Sequence, residues 1–230
     1  MACNAGPDII EDGLVFCVDA ANINSYPKSG ATWSDLVGSN DGTMQNMTAS
    51  NFSDNNGGIL SFDGVNEDID CGTNFSDYIS GTKSFSIECF VYPQNSQVNY
   101  ADIWGNHTGP YKGLVLQQNN SNINQYSWGW GYGNGWTTFS YFNIDSLAWS
   151  HIVAVRDGTS VLTYVNGSIV TSDTSSSSLN ANSDHNFLIA RGFPSGRYWK
   201  GNMSNFRIYS KALTPDEVRQ NYQATVGRFT

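Results

Sequence analysis

Apolar residues in this chain come in short bursts, and the clearest burst alternates with a period of two. In Ser84–Tyr92, Phe85, Ile87, Cys89 and Val91 fall on one face, and Pro93 ends the run. Leu14–Val18, Ile59–Phe62, Ala101–Trp104, Gly113–Gln117, Phe187–Ala190 and Asn202–Tyr209 are further runs of strand length, set off by turn residues. Trp149–Arg156 and Val161–Val165 flank Asp157-Gly158, and Val165 passes through Asn166-Gly167 into Ser168–Thr171. Both dipeptides accept the positive φ of a tight turn, so two successive hairpins are predicted. One helix is expected, near the C-terminus: Thr214 is its N-cap, Pro215 its first residue, and Glu217 closes a capping box. Many short strands without helices between them bury their apolar faces by stacking two sheets. The pattern therefore predicts an all-β, two-sheet antiparallel sandwich or jelly roll with one short C-terminal helix.

The chain's 230 residues are enough for one such sandwich and its core. The expected division is an N-terminal arm over residues 1–13 and a single domain over 14–230. Thr174–Ser178 is polar and repetitive, and reads as a mobile loop tip.

Composition sharpens this picture. Charged residues make up only 13% of the chain, about half of the ~25% usual in globular proteins. With 23 glycines and 7 tryptophans, the chain is far too aromatic for a disordered one. Its surface is polar through Asn, Ser, Thr and Gly. The net charge of −9 argues against nucleic-acid and anionic-membrane partners, which need basic patches. No apolar run is long enough to span a membrane, and the first residues do not read as a secretory signal. Cys3, Cys17, Cys71 and Cys89 lack paired CxxC spacing, so they are expected to be reduced thiols rather than zinc ligands.

Four blocks carry a family resemblance. Trp149–Gly158, continuing through VLTYVNG to Gly167, resembles the Trp-x-His-Val strand and Tyr-Val-Asn-Gly hairpin of laminin-G-like domains. Gly201–Tyr222 resembles their closing strand and short helix. Leu60–Asp70 is similar to their Phe-Asp-Gly element, and Val18–Leu36 to the opening of such modules in bacterial surface and phage virion proteins. The resemblance implies a concanavalin A-like jelly roll, a superfamily of lectins, adhesion modules, glycanase accessory domains and virion proteins. It implies His151 as a structural strand histidine. Fold alone does not assign function.

Catalysis is not expected. Glycosidases need two carboxyls across the scissile bond, and catalytic relatives carry Glu-x-Asp-x-x-Glu on one strand. Glu11, Glu67, Glu88 and Glu217 do not stand in that spacing, and lyase motifs are missing too.

Two segments are candidate binding surfaces. In Tyr126–Phe142, Trp128, Trp130 and Tyr132 alternate with glycines, placing three aromatics on one face of a strand and bare backbone on the other. Such a row either stacks on sugar rings or fills the space between sheets while the glycines admit another backbone. Trp136 and Tyr141 fall outside the alternation and are better surface candidates. The loop Arg191–Lys200 gathers Arg191, Arg197, Tyr198 and Trp199, a basic-aromatic cluster suited to an acidic glycan or a carboxylate-bearing partner; its other reading is a plain connection into the last strand. The cofactor considered is Ca2+, which prefers hard oxygen ligands. Its candidates are Asp19 and Asn22 in one turn, and Asp63, Asn66, Asp68 and Asp70 in another. Some relatives hold calcium with an Asp in the closing strand, where this chain has Ser204-Asn205.

These features together suggest a non-catalytic virion structural or adhesion protein of a phage: a capsid decoration protein, head fibre or tail-associated module. Its expected partners are other virion proteins, copies of itself in a homo-oligomer, and glycans, and its expected location is the virion. The alternative is a free-standing carbohydrate-binding lectin.

Overall fold

A computed structural model of the chain describes residues 7–109, 111–193 and 196–230. Its strands, in chain order, are β1 (Leu14–Asp19), β2 (Thr32–Trp33), β3 (Gly42–Gln45), β4 (Phe52–Ser53), β5 (Ile59–Asp63), β6 (Asp68–Asp70), β7 (Phe85–Pro93), β8 (Asp102–Gly105), β9 (Leu114–Asn119) and β10 (Asn122–Gly131). They continue with β11 (Trp136–Thr138), β12 (Phe142–Asn143), β13 (Ser150–Asp157), β14 (Ser160–Val165), β15 (Ser168–Thr174), β16 (Leu188–Ile189) and β17 (Lys200–Tyr209), and the helix α1 spans Pro215–Val226. Among the described residues they form two antiparallel sheets. The first runs β15-β14-β13-β7-β17-β5-β4, with β1 also on β17; the second runs β11-β10-β9-β8-β16-β6-β3-β2, with β12 also on β10. This is the expected jelly-roll sandwich.

The alternation in β7 has its predicted consequence: Phe85, Ile87, Cys89 and Val91 all enter the main core between the sheets. The opposite face of the first sheet is covered as well. Val153, Val155, Tyr164 and Tyr209 pack there with Leu213 and Val218 of the helix segment, and Ile10 and Leu14 join them. Of the predicted arm, residues 1–6, Cys3 among them, lie outside the described residues. Asp8 and Ile10 are tied to the helix through Gln220 and Asn221.

Local signals place the turns and the helix start. Val165 pairs with Ser168 across Asn166 and Gly167, both at positive φ. The preceding turn falls one residue later than expected, on Gly158-Thr159, because Asp157 still pairs with Ser160. Thr214 and Glu217 form the capping box, and Pro215 opens the helix. The serine run expected to be a free tip is tied down: Ser177 accepts hydrogen bonds from Arg156 Nη2 at 2.9 Å and Trp130 Nε1 at 3.0 Å.

In the second sheet, Thr43, Asp70, Leu188, Gly105, Val115, Gly129 and Thr138 stand side by side across neighbouring strands. Their strand neighbours Ile69, Ile189, Trp104, Leu116 and Trp128 point into the core. By the alternation of a strand, this row therefore lies on the free face, away from the first sheet.

Candidate functional site

A cleft of about 480 Å³ opens on that free face. Asp70 of β6, Leu188 of β16 and Gly105 of β8 meet in register at its floor. Three connecting segments wall it: Asn106-His107 after β8, Asp184–Asn186 before β16, and Arg191–Phe193 after β16.

The walls mix acceptors, donors and one apolar ring. Asp70 accepts hydrogen bonds from Gly72 N at 2.9 Å and from Asn186 Nδ2 at 2.6 Å. Asp184 accepts from Lys112 Nζ at 3.0 Å. Phe193 is 45% exposed and meets the His185 ring edge-on at 6.0 Å.

Buried polar groups lie behind the Arg191–Phe193 wall. His107 Nδ1 is 3.7 Å from Asp102 Oδ2, and neither the carboxyl oxygens nor the ring nitrogens have a hydrogen-bond partner among the described residues. Burial pushes the Asp102 carboxyl well above its usual range and pushes His107 down to about 4, so both groups tend to neutrality. Gly192 lies directly over the carboxyl: a Cβ there would come within 1.3 Å of Asp102 Oδ2. Any larger residue would displace this wall.

Asp68 is also buried, with Arg191 Nη1 3.6 Å from its Oδ1. Burial pushes its carboxyl up to about 6, against the pull of Arg191. A carboxyl whose folded pKa lies above its unfolded value makes the folded state the stronger proton binder between the two values. Stability is therefore expected to fall as pH rises from about 4 to about 6, by at most ~1.4 kcal/mol per unit. Asp68→Asn should flatten this stretch of a urea-unfolding series against pH. An unchanged slope would place its origin elsewhere.

Several sequence-predicted site residues need correction. Trp128, Trp130 and Trp199 are fully buried and cannot meet a ligand. The Trp128 and Trp130 side chains point into the core, where their N–H groups donate to Thr163 Oγ1 at 2.9 Å and Ser177 Oγ at 3.0 Å. The bare-backbone side of their strand admits other backbone, since a Cβ on Gly129 would lie 2.1 Å from Thr137 O. Trp199 packs with Phe62 at 6.2 Å. Tyr132 and Tyr141 are exposed, at 40% and 50%, but outside the cleft lining. Half-buried Trp136 pairs with Gly131 and so lies on the free face, as expected of a surface residue, outside the cleft lining but edge-on to His107 of its wall at 5.7 Å.

In the basic loop, Arg191 lines the cleft and lies 5.4 Å over the Tyr198 ring. Arg197 lies outside the lining, 5.1 Å over Tyr100 and donating to Gln117 Oε1 at 3.5 Å.

The calcium candidates do not form a coordination shell. Asp19 is held by Arg228 Nη1 at 2.9 and 3.0 Å, and Asn22 accepts from the Asn24 backbone at 2.9 Å. Asp63 accepts from the Val65 and Asn66 backbone. It ends a strand of the first sheet, whereas Asp68 and Asp70 belong to the second. The turn carrying Asn66 takes the chain between sheets and separates these acids. Among the described residues, no three His, Cys, Asp or Glu side chains converge to hold a metal.

Asp70 and Arg191 are thus the predicted site residues that the fold brings together in the cleft lining, with Asp68 buried beside Arg191. Phe193, inside the predicted Arg191–Lys200 loop though not singled out there, joins them, and Asn106, His107, Asp184, His185 and Asn186 do so without a prior signal. They lie in connections, where no periodicity marks which residues face a cleft.

A two-sheet jelly roll with a polar cleft on its free face is the architecture defined so far. The chain belongs to the concanavalin A-like lectin/glucanase superfamily, whose laminin-G-type family model matches residues 63–219. The Leu60–Asp70 block lies mostly within that span, as do Trp149–Gly167 and most of Gly201–Tyr222; Val18–Leu36 lies outside it. No curated protein sequence matches the chain.

Among solved structures, the chain is similar to domain 4 of a GH43 extracellular arabinanase from Geobacillus stearothermophilus, determined in complex with arabinotriose. The TM-score is 0.73 at 19% identity, over 93% of this chain and 100% of that domain. It is also similar to the botulinum neurotoxin serotype G binding domain, with a TM-score of 0.69 at 15% identity over 91% of this chain and 50% of the other. A sialidase of Trypanosoma rangeli, in complex with the inhibitor DANA, has a TM-score of 0.67 at 14% identity over 94% of this chain and 33% of the other. The chain thus spans half or less of the toxin domain and the sialidase. At these identities the likeness is one of fold.

Proposed function

We propose that this chain is a non-catalytic glycan-binding module that takes a sugar in the cleft around Asp70, Asn186 and Phe193. The observation that carries this reading is the lining: hydroxyl acceptors and donors grouped around one exposed phenyl ring on the free face of a sheet. Sugar hydroxyls both donate and accept, and the C–H face of a sugar ring packs on an aromatic face. The superfamily's lectins and the arabinotriose held by the arabinanase domain support the same reading.

Binding is favoured over hydrolysis because both Asp70 oxygens already accept hydrogen bonds and Asp184 is paired with Lys112. Neither is poised as the general acid that a glycosidase needs. Phe193→Ala should weaken glycan binding by about tenfold, the upper end of an aromatic contact of ~0.5–1.5 kcal/mol. Tyr141→Ala should leave binding unchanged, and incubation with the bound glycan should release no reducing ends. Titration calorimetry checks the affinities; equal affinities for the Phe193 variant and the parent protein would move the site elsewhere.

The setting we propose is a phage particle, where a jelly-roll module decorates the surface, assembles with copies of itself or other virion proteins, and meets host glycans. The resemblance of Val18–Leu36 to virion modules favours it. Mass spectrometry of purified particles should detect the chain, and its consistent absence would leave the free-standing lectin.

A further inference from the structure

Resting on the glycan-binding reading, we infer that the cleft selects uncharged sugars and rejects those bearing a carboxylate. The argument follows the charges around the lining. Its arginine, Arg191, is already committed: Nη1 is 3.6 Å from the buried Asp68 carboxylate, and the guanidinium lies over Tyr198. Lys112 reaches the rim but spends its charge on Asp184 at 3.0 Å. Arg197 lies outside the lining, against Tyr100 and Gln117.

Among the described residues, Asp70 has no such counter-ion within salt-bridge distance. Its two oxygens are held by the Gly72 backbone and the Asn186 amide, which are neutral donors. One uncompensated negative charge therefore stands at the floor of the cleft, where protein on three sides lowers the screening. A neutral sugar meets carboxylate and amide oxygens that accept from its hydroxyls, and amide N–H groups that donate to its oxygens. A uronic or sialic acid brings a second negative charge to the same place and, among the described residues of the lining, finds no arginine or lysine without a carboxylate partner. Arg191, read in the sequence within a loop suited to an acidic glycan or a carboxylate-bearing partner or else a plain connection, thus has its counter-ion within the protein.

The test is an array of matched pairs differing in acidity: lactose and sialyllactose, galactan and polygalacturonate, glucan and polyglucuronate. The neutral member of every bound pair should be held at least ~10-fold tighter, equivalent to ~1.4 kcal/mol. Raising the NaCl concentration should narrow the gap by screening the acid's repulsion while leaving the neutral sugar's binding unchanged. Asp70→Asn should narrow it too, by improving the acidic member's binding. Acidic members bound as tightly as neutral ones, or a gap insensitive to salt, would overturn the inference and leave the glycan-binding reading standing. No binding to any member would remove that reading and the inference with it.

Discussion

Trp128→Ala is expected to lower the stability of the protein by about 3–5 kcal/mol, as truncation of a buried aromatic generally does. Trp128 is fully buried. Its ring lies 5.1 Å from Phe139, 5.8 Å from Trp130 and 6.3 Å from Phe85. It therefore bridges the second sheet to β7 of the first. Its indole N–H donates to Thr163 Oγ1, which also accepts from Thr171 Oγ1. Alanine would open a cavity between the sheets and remove that donor together. Urea unfolding measures the loss directly, and Tyr132→Ala, at an exposed position, should stay within ~0.5 kcal/mol of the parent protein. A Trp128 variant that lost stability no more than the Tyr132 variant would return this aromatic row to the surface and reopen it as a ligand face.

Glu88→Ala should cost a similar ~3–5 kcal/mol, for an electrostatic reason. Glu88 and Arg207 are buried together between the first sheet and the helix. Arg207 Nη1 donates to Glu88 Oε1, and Asn221 Nδ2 donates to Oε2 at 2.6 Å. His151 Nε2 lies 3.4 Å from the same carboxylate. Burial alone would push this carboxyl up, but Arg207, aided by His151 and Asn221, outweighs burial and holds it down to about 2. A depressed folded pKa stabilises the protein above the unfolded value of about 4.5, and this contribution is lost as pH falls toward 2.

Removing Glu88 leaves the Arg207 charge buried without its partner. Replacing both residues with apolar ones of similar size should recover much of the loss, because a buried pair is expensive to break but cheap to replace as a whole. Chemical denaturation of the two variants separates these cases. If the single and double replacements lose equal stability, the cost lies in packing rather than in charge.

This network shows what a linear reading could and could not reach. The alternation of β7 placed Phe85, Ile87, Cys89 and Val91 on one face. The same pattern put Glu88 on the other, but it did not signal that a helix would cover that face, or that Asn221 of the helix would meet the carboxylate. His151 was expected to be a structural strand residue, and it stacks on Phe90 at 4.7 Å.

The elements legible in the sequence share one property: their physics is local. A period of two marks a strand, Asn166-Gly167 supplies two adjacent positive φ values, and Thr214 reaches only to Glu217. The sequence by itself therefore determined the sheet-rich class, the second hairpin and the helix start. Only the tertiary structure decided which face of an aromatic strand turned inward, because alternation creates two faces without saying which is covered. It alone brought Asp70, Asp184 and Phe193 from separate segments into one cleft, and it alone set Asp68 against Arg191. That last pairing joins a residue of one connection to a strand far from it in sequence, and no local pattern in either segment marks the other as its partner.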